Sequence, residues 1–219
     1  MSRAEGDNLW RAVEATYKDE QMPHRSRQEL EAGLDHLCHS PAGAGTLELI
    51  VSRPGADARQ ILEEAALDLK VGLVGDTWHV RGSTSSPDGS ANPAAQLTLM
   101  NARAAALVAG PLERWALAGD QLYVDLDLSE QRLPAGSRLA IGTAVIEITP
   151  KPHRGCAKFA ERFGAEALRF VNTGAGALLN LRGRNARVLI PGTIRRSDPV
   201  LLVSKLAQPD GNRMGAAAR

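Results

Sequence analysis

The chain has 219 residues, 43% of them apolar and 23% charged, and 26 Lys/Arg against 25 Asp/Glu leave a formal net charge of +1. That is enough chain for one substantial core plus a small extension, and the near-zero balance argues neither for nor against a polyanionic partner. No apolar run approaches the ~18 residues of a membrane span, the start MSRAEGDNLWRAVEATYKDE has no apolar signal core, and two cysteines exclude a disulfide framework, so the expectation is a cytoplasmic protein with reduced thiols and no membrane contact.

In chain order, residues 1–25 are polar, with room for a short helix around Trp10 to Tyr17. Residues 27–39 (RQELEAGLDHLCH) predict a helix with Leu30, Leu34 and Leu37 on one face, Cys38 as a packing residue and His39 serving the helix dipole. SPAGAG ends it. TLELIVSRP alternates apolar and polar residues and stops at Pro54, which reads as a strand. Residues 57–67 (DARQILEEAAL) predict a short helix, and 71–79 a glycine-punctuated turn. Residues 82–94 (GSTSSPDGSANPA) have almost nothing to bury and are expected to be the most mobile internal segment.

QLTLM, Gln96 to Met100, predicts a buried strand, followed by a helix over 102–109. In GDQLYVDLDLSE the residues Leu122, Val124, Leu126 and Leu128 alternate with Tyr123, Asp125, Asp127 and Ser129, the period of a half-buried strand. Its Asp125 and Asp127 then belong to a solvated face and are not a metal or acid/base pair. LPAGSR is a turn, and 139–149 one strand. Phe159, Phe163, Leu168, Phe170 and Val171 supply the late core. Residues 172–174 form a loop, 177–181 and 186–190 short strands, 191–193 a turn and 200–203 another strand, before a Gly/Ala-rich tail from Gln208. Many short strands, frequent Gly/Pro turns and few helices predict a mostly-β, barrel-like domain over 46–203, a helical extension over 1–45 and a flexible tail over 204–219.

The chain is organised around ITPKPHRGCAKFAERFG, Ile148 to Gly164. Pro150 and Pro152 stop strand pairing. Gly155 permits a sharp turn, and Cys156 enters a helix over 157–163. Lys151, His153, Arg154 and Lys158 surround the cysteine. Free N–H groups and positive charge favour thiolate over thiol, the environment of a reactive cysteine. The alternative is a buried cysteine acting as a small hydrophobe.

The ordered set GLVGD (Gly72 to Asp76), QLTLM, GDQLYVD, LPAGSRLAIGTAVIEIT, PHRGC and RGRNARVLIPGTIRRSDPV resembles the MOSC family, over roughly Thr46 to Val203 and most closely from Gly119 onward. That domain ends molybdenum cofactor sulfurases and also stands alone in bacteria. The resemblance implies a mostly-β barrel with Cys156 as its functional centre. It implies either sulfur passed as a cysteine persulfide, with a sulfur-donor protein as partner, or a molybdenum–pterin cofactor with Cys156 as metal ligand and reduction of N-hydroxylated compounds. Pyridoxal phosphate enters by family association only. Where the family commonly has Gly-Glu-Asn this chain has Gly119-Asp120-Gln121, and where it has Gly-Asp this chain has Ser197-Asp198.

Sulfur transfer and molybdenum ligation need the same thing, a thiolate. His153 is a candidate proton shuttle or second-shell partner, or a plain loop histidine. Arg154 and Lys158 are candidates for a phosphate or pterin-phosphate oxygen, or else solvate the helix start, and Asp76, His79 and Asn101 lie in matched segments and either converge on the site or are a turn Asp and polar residues that end elements. Arg182, Arg184, Arg187, Arg195 and Arg196 are scattered over strands and turns with few aromatics interleaved for stacking on bases, so they read as a solvated rim with Arg182 kept for an anion, and no nucleic-acid partner is expected. No GxxxxGK[ST], CxxC or HExxH occurs. The competing function is a non-catalytic module that binds a pterin or a protein, with Cys156 structural.

Overall fold

The computed structural model describes residues 23–83 and 86–204. The helix expected around Trp10 to Tyr17 and the tail from Gln208 lie outside them.

Seven strands close into a barrel: β1 (Ala44–Ser52), β6 (Leu122–Asp125), β5 (Leu97–Asn101), β9 (Arg184–Ile190), β8 (Ala144–Ile148), β7 (Arg138–Ile141) and β11 (Pro199–Ser204), which returns to β1. β2 (Gln60–Leu62) extends the sheet beyond β1, and β10 (Gly192–Arg195), β3 (Glu64–Asp68) and β4 (Gly72–Leu73) form a separate three-stranded sheet. The β5–β6 pair is the parallel one. Its crossover runs through α4 (Ala102–Ala109) and α5 (Leu112–Trp115), because parallel neighbours need a long connection.

Two apolar layers follow from the strand period. Leu47, Ile50, Leu99, Leu122, Val124, Ile146 and Ile148 fill the barrel. Leu49, Val51, Met100 and Tyr123 point outward from the same strands and pack with Leu30, Phe159, Phe163 and Val171 of the helices. At about 25 cal/mol per Å² of apolar area, this double burial makes β1, β5 and β6 the centre of the fold.

The barrel with peripheral helices is the fold class the sequence predicts, but several elements differ. The helix over 27–39 is two, α1 (Arg27–Ala32) and α2 (Leu34–Cys38), broken at Gly33, where an added Cβ would lie 2.6 Å from Leu107. Leu30 and Leu37 are buried, whereas Cys38, about 100° round the helix from Leu37, is exposed and is not a packing residue. Residues 57–67 are not helical. Ala65 and Leu67 alternate with exposed neighbours in β3, and pairing with β10 and β4 overrides the helix propensity of the Glu/Ala run. The 71–79 turn continues into a helical turn, α3 (Trp78–Arg81).

The strand read over 122–128 stops at Asp125, and Tyr123 does not face solvent. It is fully buried, with its hydroxyl donating to the Trp115 carbonyl at 2.5 Å. Residues 139–149 are a hairpin, β7 and β8, turning at Gly142, whose φ is +54°. After α6 (Ala157–Phe163) come α7 (Ala165–Asn172) and α8 (Gly174–Leu178), so 177–181 is not a strand, and Gly192 and Thr193 belong to β10. Ser197 takes φ +68° in the turn where the MOSC resemblance leads one to expect glycine.

Candidate functional site

The loop from Thr149 to Cys156 leaves the end of β8 and crosses the barrel mouth before α6. Two asparagines clamp it. Asn185 of β9 donates its Nδ2 to the carbonyls of Lys151 and Pro152, each at 3.1 Å. Asn172, the last residue of α7, accepts from the Gly155 N–H at 2.9 Å and donates to the Gly155 carbonyl at 3.2 Å. Gly155 lies so close to α7 that a Cβ would stand 2.7 Å from Leu168. The loop that carries the cysteine is therefore fixed at both ends by side chains that read in sequence only as loop and strand polar residues.

Cys156 sits at the N-cap of α6 with extended backbone, φ −122° and ψ −178°, makes no capping hydrogen bond and is exposed. The reading of a buried small hydrophobe is excluded by that exposure. Lys158, two residues on in the first turn of α6, shares Asp57 with Arg162, at 3.3 and 3.1 Å. Arg154 is exposed and, among the described residues, has no carboxylate partner.

His153 points inward. Its Nδ1 is 3.4 Å from Oδ1 of Asp120, and neither atom is hydrogen-bonded elsewhere, although both are shut off from solvent. The other carboxylate oxygen of Asp120 accepts from Nη1 of Arg182 at 2.5 Å, and Arg182 also donates to the Ala118 carbonyl at 2.9 Å while its guanidinium lies 5.1 Å over the Phe159 ring. Burial, then the cations Arg182 and Arg53, hold the His153 imidazole well below its ordinary pKa, so it is neutral. Burial pushes the Asp120 carboxyl up, and Arg182 opposes that push. Gly183, at φ +112°, leaves room for this packing. A Cβ there would lie 1.9 Å from the Leu99 carbonyl oxygen and 3.3 Å from His153 Nδ1.

Other residues named from the sequence serve the scaffold. Asp76 is buried and accepts from the Arg53 N–H at 3.0 Å, from Arg53 Nε and Nη2 at 2.7 and 3.0 Å, and from the Trp78 N–H at 2.8 Å. Asn101 caps α4 through the Ala104 N–H at 3.0 Å and donates to Ser40 and the Leu126 carbonyl, at 2.9 and 2.8 Å. His79 is exposed. The arginine group is not a solvated rim throughout. Arg182 and Arg184 are buried on Asp120 and Glu130, while Arg187, Arg195 and Arg196 pair with Glu147, Glu64 and Glu63. Asp125 pairs with Arg103 at 2.7 Å, and Asp127 caps the Ser129 N–H at 2.9 Å.

His153, Arg154 and Arg182 meet Pro152, Asn172 and Asn180 around a small cavity of about 80 Å³. Among the described residues no three His, Cys, Asp or Glu side chains are grouped to hold a metal ion. None of the described helices is long and apolar enough to cross a membrane.

No protein-family model matches the chain, and no curated protein sequence matches it either. Solved structures do. The chain is 17% identical to YiiM from Geobacillus stearothermophilus over 74% of its own length and 75% of that chain, with a TM-score of 0.50. YiiM from Escherichia coli gives 20% identity over 74% and 72%, TM-score 0.49, and the YUAD protein from Bacillus subtilis 16% over 72% and 94%, also 0.49. The likeness to the Geobacillus YiiM is one of fold.

Proposed function

We propose that this is a MOSC-type protein that carries sulfur on Cys156 as a persulfide. One observation carries the reading. The thiol is exposed on a loop that two asparagines hold rigid, so it serves access and not packing. The barrel is the fold that the MOSC resemblance implies, and the Geobacillus YiiM shares it. In the step proposed, the Cys156 thiolate attacks the terminal sulfur of a donor persulfide. The new bond joins Sγ to that sulfur, the donor's S–S bond breaks, and the donor's inner sulfur leaves as thiolate, while the terminal proton stays on the transferred sulfur. The donor is a persulfide-bearing protein or small thiol.

The residues present fit a molybdenum–pterin group at one point only. A thiolate suits molybdenum, and Arg154 is uncommitted. The other candidates, Arg182, Asp76, Asn101 and Lys158, are held by protein partners. No step is routed through that group.

The test is to load the purified protein with polysulfide and read its intact mass, with molybdenum measured on the same sample. One added sulfur atom on wild type and Cys38→Ser, absent from Cys156→Ser, supports the carrier. Equal loading of Cys156→Ser overturns it. Stoichiometric molybdenum that disappears in Cys156→Ser moves the role of Cys156 to metal ligation. An unreactive Cys156 leaves the binding module.

A further inference from the structure

Asp120 and His153 face each other across 3.4 Å with no other hydrogen-bond partner for either atom. Buried polar atoms are seldom left that way. One proton placed between them satisfies both. Asp120 is fully buried, which pushes its carboxyl up, but its other oxygen already carries the Arg182 guanidinium, which opposes that push, and with that ion pair formed the proton is placed on Nδ1. Nδ1 is closed to solvent while the imidazole side chain keeps 15% exposure and lines the cavity of about 80 Å³ beside Arg154, which leaves Nε2 as the ring nitrogen free to meet a ligand there. That volume is room for a few waters or one compact polyatomic group.

We propose that Asp120 is a positioning residue that locks His153 as the Nδ1–H tautomer, making the cavity a subsite for an anionic group that brings its own O–H, N–H or S–H donor. The charge is met by Arg154 and the donor by Nε2. A neutral Nε2 accepts a hydrogen bond and repels a bare oxyanion, so the subsite distinguishes protonated from fully deprotonated anions. This subsite stands apart from the chemistry of Cys156 and survives if the sulfur-carrier reading fails.

The tautomer is read directly on the wild-type protein by ¹⁵N NMR of the ring nitrogens. A pyridine-type Nε2 with a protonated Nδ1 is expected, and a protonated Nε2 overturns the proposal. Inorganic phosphate, which carries an O–H at neutral pH, and sulfate, which carries none, are then titrated against the same signals. Phosphate is expected to bind about tenfold tighter, the worth of one hydrogen bond to a charged group. Asp120→Asn turns an amide N–H toward Nδ1, forces the proton to Nε2 and abolishes or reverses the preference. Arg154→Gln weakens both anions alike and leaves the tautomer in place. Equal binding of phosphate and sulfate by wild type, binding of neither, or a preference unchanged in folded Asp120→Asn each overturns the subsite.

Discussion

Two buried arginine–carboxylate pairs lie side by side behind the cysteine loop, and they are built differently. In Arg53–Asp76 the carboxylate receives four hydrogen bonds, and Arg53 also donates to the Gly119 carbonyl at 2.9 Å. In Arg182–Asp120 one carboxylate oxygen meets only an imidazole at 3.4 Å, and Arg182 Nε has no partner. A saturated network joins elements, here the end of β1 to the start of α3. An unsaturated one at equal burial is held open by its surroundings and is where a ligand or a proton completes the set. The contrast separates Asp76, named from sequence as a site residue, from Asp120, which was not.

The largest effect expected from this contrast is at Asp76. Asp76→Asn removes the charge opposite the buried Arg53 and turns an amide N–H toward donors that both oxygens now receive, a loss of about 3–5 kcal/mol in denaturant unfolding. Asp120→Asn keeps an oxygen for Arg182 and is expected to lose about 1–3 kcal/mol. If Asp120→Asn proves the more destabilising, the saturated pair is not the structural one and the comparison fails.

Next in size is the acid side of the stability profile. The folded His153 is held below its ordinary value of 6.5 by burial and then by Arg182 and Arg53, with Asp120 facing Nδ1. The unfolded chain therefore takes up a proton that the folded one refuses as pH falls through 6.5, and stability is lost on that side. The slope is about 1.4 kcal/mol for each pH unit while the folded ring stays neutral. Urea midpoints from pH 7.5 to 5.5 are expected to fall more steeply in wild type than in His153→Gln. Parallel profiles would mean that His153 titrates as a solvent-facing residue and that the Asp120 network is not closed around it.

A smaller effect tests what holds the loop. Asn172→Ala removes both hydrogen bonds to Gly155, at about 1 kcal/mol each, and frees the cysteine end while Asn185 still holds Lys151 and Pro152. Hydrogen exchange at the Gly155 amide is expected to rise, with β8 and β9 unaffected.

The barrel was legible in the sequence because strands such as β1 and β6 carry apolar residues at a clear period and β5 reads as a buried strand, and the Pro-broken stretch marked where Cys156 and α6 begin. What was missed has a physical source. Residues 57–67 read as a helix because Glu and Ala are good helix formers, and nothing local announces that β10, well over a hundred residues later, pairs with them. Tyr123 read as solvent-facing because its strand alternates, but α4 and α5 cover the outer face of β6. At the site, Cys156, His153 and Arg154 share one loop and were found together. Asp120, Asn172 and Asn185 arrive from three other elements, and only the closed barrel places them.

The smallest effect on stability is expected at Cys156 itself, and it sharpens the comparison from the opposite side. The residue is exposed, and it occupies an N-cap with the extended backbone a cap requires but no side-chain bond to α6. Serine is among the best N-cap residues, with caps worth about 0.5–2 kcal/mol over residues that make no such bond. Cys156→Ser is thus expected to leave the unfolding midpoint unchanged or to raise it slightly, while sulfur loading is lost. A cysteine whose replacement stabilises the fold is retained for chemistry. If Cys156→Ser instead lowers stability by more than about 1 kcal/mol, the thiol is packing against something essential and its function is structural.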